Sequence, residues 1–198
     1  MGTVGTVVAP HPGKRASALP PDERRQMVVD ATLSLLLQNG EMVTTRQIAD
    51  AAGIAEGTIF RVFEDKDALI DAVLDRALDR EPLERALRTI DPGQPLERSL
   101  EAAVVTLQQR VVDFWRLLTS IGTRFHDRHR PPQEVSAALV ELLTAYRDQL
   151  AVEPLAAARM LGALTLSVTH PVLVDEPMSP PELVRLFLYG THAPEPSC

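Results

Sequence analysis

The stretch TTRQIADAAGIAEGTIFRVF, residues 44 to 63, sets hydroxyls and guanidinium groups beside small and branched apolar residues, with Lys66 three positions further on. Such a set suits one of two kinds of chemistry. The apolar spacing can pack an anonymous helical core, or the polar side chains can face outward and enter a DNA groove. Catalysis is not among the choices. The chain contains no G-x-S-x-G elbow, no phosphate-binding P-loop and no G-x-G-x-x-G fingerprint. No enzyme activity and no cofactor are expected. His126 and His129, in HDRH, would meet across one helical turn. Two histidines without further ligands nearby make a poor metal site, so a solvated loop is expected there and no metal. The sole cysteine is Cys198. It rules out an intrachain disulfide and a thiolate metal cluster, and fits a reducing cytoplasm.

The elements that position these residues can be read from their capping signals. Thr44 with Gln47 three residues later forms a capping box and starts a short helix. That helix runs through Ile48, Ala49 and Ala52 and ends at Gly53, which can adopt the positive φ of a tight turn. Ile54 buries beneath the turn, and a second helix from about Ala55 presents Ile59 and Phe63 inward. Ala49 is small where the two backbones approach, as two steeply crossing helices require. A plain αα-hairpin has the same spacing, so the pattern alone leaves both readings open.

Upstream, PPDERRQMVVDATLSLLLQNG reads as an amphipathic helix with acids near its start. Its apolar stripe is Val28, Ala31 and Leu35, and Asn39-Gly40 is expected to close it in a left-handed cap. Residues 1–20 carry Gly, Pro and small residues without periodicity and are expected to form a mobile arm. The opening MGTVGT lacks the basic region and long apolar stretch of a signal peptide, and matches a lipidation pattern only weakly. Downstream, FEDKDALIDAVL continues with an N-cap at Asp65, Lys66 in the first turn, and Leu69, Val73 and Leu74 on a new stripe.

Hydrophobic residues make up 45% of the 198, ample for a core, while aromatics are 4% and the 16 prolines cluster between periodic segments. That composition favours an all-α fold. The longest apolar run, MLGALTLSVTHPVLV, is interrupted by Ser, Thr, His and Pro and is too short for a bilayer, so no membrane partner is expected.

Residues 22 to 80 resemble the N-terminal domain of the tetracycline-repressor-like (TetR) family of bacterial regulators. Thr44, Ile48, Ala49, Ala52, Gly53, Gly57, Thr58, Phe63, Lys66 and Leu69 carry the resemblance. It implies a three-helix helix-turn-helix domain over residues 21–80, joined to a larger helical effector-binding and dimerisation domain over 81–198. It also implies double-stranded operator DNA as partner, with the second helix of the motif in the major groove. Glu56, Gly57, Thr58, Phe60 and Arg61 would then face base edges or flanking phosphates. Gly57 would let the backbone come close, Thr58 would offer a hydroxyl and a methyl, and Arg61 would offer a fork for guanine. Thr44, Thr45 and Arg46 at one helix start, and Lys66 at the next, would meet phosphate.

Two positions depart from the family pattern. Tyrosine usually stands where Phe60 does and reaches a phosphate through its hydroxyl, and histidine is common at Val62. Glu56 is an acid aimed at a polyanion: it can accept from a cytosine amine or simply repel. Between Asp22 and Arg80, seven basic residues face twelve acidic ones, a balance of −5. Weak general DNA affinity resting on a few placed cations is therefore expected. Lys14 and Arg15 in the arm either reach an adjacent minor groove or merely solubilise a tail. A helical protein whose motif has lost DNA binding and which serves as a ligand-binding or scaffold module is the competing reading.

The rest of the chain reads as helices. Leu83, Ala86, Leu87 and Ile90 follow Pro82 at helical spacing, and DPGQP breaks them. A long helix is expected from Leu96 to Ile121, striped by Leu100, Val104, Leu107, Val111, Trp115 and Leu118. Another is expected from about Gln133 to Leu150. Pro154 and Pro180 open two more that close near Thr169 and Gly190, the latter with a capping box of Ser179 and Glu182. Phe114, Trp115, Leu118, Phe125 and Met160 either pack a core or line a cavity for an unknown small, largely apolar effector, with Arg110, Arg124 or His126 as polar anchors. Leu161, Leu164, Val168, Leu183, Leu186 and Phe187 are read as the surface of a homodimer formed through about residues 153–190.

Overall fold

A computed structural model describes residues 20–39, 43–121 and 134–190. Residues 1–19, Gly40, Arg124, Phe125, His126 and His129 lie outside the described residues, and with them most of the arm, the glycine cap and the histidine pair. All regular structure among the described residues is helical: α1 Pro21–Asn39, α2 Thr45–Ala52, α3 Glu56–Val62, α4 Lys66–Leu78, α5 Glu81–Arg88, α6 Leu96–Ile121, α7 Ala137–Thr144, α8 Pro154–Ser167 and α9 Pro180–Tyr189. No described helix is long and apolar enough to cross a membrane.

Helix α1 carries apolar residues on several sides of its second half, Ala31, Leu33, Leu35, Leu36 and Leu37, which makes its buried side hard to assign from spacing. The face turned inward carries Val28, Val29, Thr32 and Leu36, one step round from the expected Ala31 and Leu35. Thr32 joins this face because its hydroxyl donates to the carbonyl of Val28 at 2.7 Å, and a buried hydroxyl with a partner costs little. Against α1 pack Ile48, Ile59, Phe63, Leu69, Val73 and Leu74 from α2 to α4, forming one core. Burial of each such side chain contributes roughly 1.5–3 kcal/mol. Arg76 of α4 adds a tie across the surface, pairing with Asp30 of α1 and with Asp79, each at 3.0 Å.

A second core joins Leu87 of α5, Leu100 and Val104 of α6, Leu139 and Leu143 of α7, Leu161 of α8 and Leu183 of α9. Helix α6 belongs to both. Its first half enters the second core, while Leu117 and Ile121 near its end enter the first. The helix buries different sides at its two ends, so the single expected stripe holds only at the start, and Trp115 and Leu118 are half-buried. At 26 residues it runs about 39 Å. Gln108 anchors it midway, its amide donating to the Met178 carbonyl at 2.8 Å and to the Thr169 hydroxyl at 3.1 Å.

The expected helix from Gln133 to Leu150 is shorter than its pattern suggests. Its N-cap is Ser136, which accepts from the Leu139 N–H at 3.1 Å, and it stops at Thr144 before a single 3-10 turn over Arg147–Gln149. Gln133 itself lies outside the described residues. The break comes from Tyr146, which turns into the second core and donates to the Gln94 carbonyl at 2.8 Å beside the Ser99 hydroxyl at 2.6 Å. Helix α9 starts on the expected cap: the backbone N–H and hydroxyl of Ser179 donate to one Glu182 oxygen at 3.2 and 2.5 Å. These bonds hold the Glu182 carboxyl below its ordinary value.

Candidate nucleic-acid interface

Helix α2 begins on a complete capping box. The Thr44 hydroxyl accepts from the Gln47 N–H at 3.2 Å, and the Gln47 side chain accepts from the Thr44 N–H and hydroxyl, each at 2.9 Å. The helix ends at Gly53, with φ 65° and ψ 34°, whose N–H donates to the Asp50 carbonyl at 3.2 Å. That left-handed residue swings the chain sharply, and Ile54 donates back to the Ala49 carbonyl at 3.0 Å. Helix α3 then starts at Glu56. Ile59 and, just past its end, Phe63 are buried. The outer face of α3 carries Glu56, Gly57, Phe60 and Arg61, all exposed, with Thr58 half-buried at its edge.

Arg46 and Thr44 are exposed at the start of α2, and Thr45 is half-buried beside them. The Thr45 hydroxyl donates to the Glu56 carboxylate of α3. Glu56 is thereby directed towards the first turn of α2, an arrangement that neither a cytosine contact nor simple repulsion had anticipated. Lys66 also has an intramolecular partner: its ammonium donates to the Val43 carbonyl at 3.2 Å and is half-buried. It braces the segment entering α2 before it can serve any phosphate. Asp65 caps α4 as expected, accepting from the Ala68 N–H at 2.7 Å.

Sequence reasoning missed Arg25. From α1 its guanidinium donates to the carbonyl of Val62, the last residue of α3, at 3.2 Å, and lies 4.2 Å from the centroid of the Phe63 ring. A cation at a helix C-terminus is favoured by the helix dipole and over an aromatic face by its quadrupole. The two residues are 37 positions apart, and no local signal links them.

Of the residues expected to line an effector cavity, those described are not gathered in one place. Trp115 borders a cleft of about 330 Å³ with Val112 and Arg116 of α6 and with Thr169, Val174 and Asp175 of the α8–α9 connection. Its indole meets the His170 ring at 4.6 Å. Phe114 and Leu118 are half-buried on α6 but do not border this cleft. Met160 is 55% exposed, because α8 turns Ala157, Ala158, Leu161 and Thr165 inward and leaves Met160 on its outer side. Arg110 is no free anchor either. It donates to the Asp79 carbonyl at 3.3 Å, and burial lowers its pKa from the ordinary value while Asp79 and Asp113 raise it.

The residues read as a dimer surface also need correction. Leu161 and Leu183 are fully buried in the chain's own core, and Leu164, Val168 and Phe187 pack against it. The exposed large apolar residues on these helices are Leu155, Met160 and Leu166 of α8 and Tyr189 of α9.

Residues 28–73 match the model for bacterial regulatory proteins of the tetR family. Among curated relatives, the nucleoid occlusion factor SlmA of Haemophilus ducreyi is 31% identical over 97 residues, which are 48% of this chain and 45% of that protein. The HTH-type transcriptional repressor KstR2 of Rhodococcus jostii is 32% identical over 128 residues, 63% of this chain and 60% of the other. The chain spans about half the length of the curated relatives it matches. Among solved structures, NalD, the secondary repressor of the MexAB-OprM multidrug efflux pump in Pseudomonas aeruginosa, aligns at 25% identity and a TM-score of 0.43, covering 86% of this chain and 96% of that one.

Proposed function

Residues 28–73 match the model for bacterial regulatory proteins of the tetR family, and we propose that the chain belongs to that family and is a sequence-specific DNA-binding regulator of transcription. In this reading residues 21–80 recognise DNA, and residues 81–198 receive an effector and pair two copies of the chain. The observation that carries it is the geometry of α2, Gly53 and α3. A capped helix and a left-handed glycine turn the second helix so that its inner side is anchored by Ile59 and Phe63 and its outer side is free. An outer face of this kind fits the major groove.

Arg61 is the base-reading cation, its fork matched to guanine N7 and O6, and Thr58 supplies a hydroxyl at the rim. Thr44, Thr45 and Arg46 approach the flanking phosphates. Lys66 acts chiefly by bracing Val43, so the phosphate contacts are few and non-specific affinity is weak. Two copies joined through α8 and α9 present two reading helices, and the operator is palindromic. The sign of regulation is repression, as for the transcriptional repressor KstR2 of Rhodococcus jostii. A small, largely apolar effector in the cleft beside Trp115 relieves it, because α6 runs from that cleft into the first core. The effector can act only through differing affinity for the two arrangements of the dimer.

Genomic pull-down followed by footprinting tests the reading. A protected palindrome, lost on Arg61→Ala and Thr58→Ala, is the expected result. No enrichment by a folded, dimeric protein would instead favour a helical ligand-binding or scaffold module.

A further inference from the structure

Phe60 is the one large apolar side chain on the outer face of α3, and it is 52% exposed, against 2% for Phe63 three residues on. Single exposed apolar residues are common on protein surfaces and usually need no explanation. The placement of this one is informative. Residues 56, 57, 60 and 61 share the outer face, since positions three and four apart are neighbours on a helix. Glu56, one turn before Phe60, is held towards α2 by the Thr45 hydroxyl. Gly57 has no side chain, and the space a Cβ would fill there is open. The flank of the ring towards the helix start is therefore uncovered, and Arg61 follows it directly on the same exposed side.

A phenyl ring can neither donate to a phosphate nor pair with the donors and acceptors on a base edge. In the major groove one group suits it, the C5-methyl that thymine presents in an A·T pair and that a G·C pair lacks, since the donors and acceptors of the other base edges are polar. We propose that Phe60 is a specificity-determining residue that reads a thymine methyl in each half-site. The inference rests on the DNA-binding reading above. It gives Phe60 a role that the missing hydroxyl of a tyrosine would otherwise leave blank.

The test uses the footprinted operator and the full chain. Each thymine in turn is replaced by deoxyuridine, which removes the methyl and keeps every hydrogen-bonding group, and dissociation constants are measured by fluorescence anisotropy. For the wild type, one position per half-site should weaken binding roughly fourfold, the worth of about one buried methyl. Phe60→Ala should bind the thymine and uracil operators alike, and Phe60→Tyr, which keeps the ring, should stay sensitive. A wild-type scan that is flat on an operator still lost by Arg61→Ala would overturn the assignment of Phe60 alone. So would Phe60→Ala remaining as sensitive as the wild type at the same position. If no operator is bound at all, the DNA-binding reading fails and takes this inference with it. The wild-type scan involves no variant, so misfolding cannot imitate its outcome.

Discussion

Arg25 supplies α3 with what the helix lacks within itself. Seven residues are too few for a helix to persist alone, and Ala55 gives its start no side-chain cap. Its direction therefore depends on the buried Ile59 and Phe63 and on the guanidinium that meets its last carbonyl and covers the Phe63 ring. This makes Arg25 a positioning residue, and its removal should be distinguishable from loss of a phosphate contact. Arg25→Ala is expected to cost about 1 kcal/mol of stability and to weaken operator binding several-fold. The slope of log affinity against log salt should stay unchanged, because no phosphate charge is lost. Arg61→Ala, by contrast, should lower binding while discriminating least at its own base position. Titrations at several salt concentrations decide the matter: a slope reduced by about one in Arg25→Ala would place Arg25 on the DNA.

The turn between α2 and α3 depends on one backbone conformation. A Cβ at Gly53 would meet nothing within 4 Å, so the cost of a side chain there comes from φ of +65° alone. A left-handed conformation costs an alanine roughly 1–2 kcal/mol, partly offset by its smaller loss of unfolded-state freedom. Gly53→Ala should therefore lose about 1 kcal/mol, seen as a melting temperature lower by a few degrees, and Gly53→Asn should recover part of it. Equal stability of the glycine and alanine proteins would mean that the turn relaxes. This element was legible in the sequence because its determinants are local: Thr44 with Gln47, the glycine, and Ile59 and Phe63 all lie within the opening stretch. The ends of α6, α8 and α9 were legible for the same reason, being marked by prolines, capping residues and glycine. What stayed hidden depends on distant partners. The early stop of α7 follows from Tyr146 reaching Gln94 and Ser99, the Val43 carbonyl draws Lys66 inward, and Arg25 seats α3. Helix α8 was hidden in another way, since apolar residues surround it and periodicity cannot say which of Met160 and Leu161 faces in.

Across the whole molecule, that last ambiguity separates folding from assembly. Leu161 is fully buried between α8 and its neighbours, whereas Leu155, Met160 and Leu166 lie uncovered at 46%, 55% and 39% exposure. Spaced along one helix, they leave apolar surface of α8 in water among the described residues. Pairing two copies about a two-fold axis would cover it, each α8 and α9 meeting its counterpart in a four-helix contact. The two sets of residues should then respond differently to substitution. Met160→Glu puts a charge into the contact and leaves the chain's own core untouched, so the fold should survive with an unaltered helical spectrum while the dimer weakens at least tenfold. Leu161→Ala should do the reverse, costing about 2–5 kcal/mol of stability while the folded fraction still pairs. Sedimentation velocity across a concentration series separates them. A Met160→Glu protein that remains dimeric at the lowest concentration would remove this face from the assembly. If the dimer does dissociate, operator binding tests the coupling of assembly to recognition. One reading helix with a weak electrostatic footprint can hold only a half-site, and its affinity should fall much further than the loss of any single DNA contact would explain.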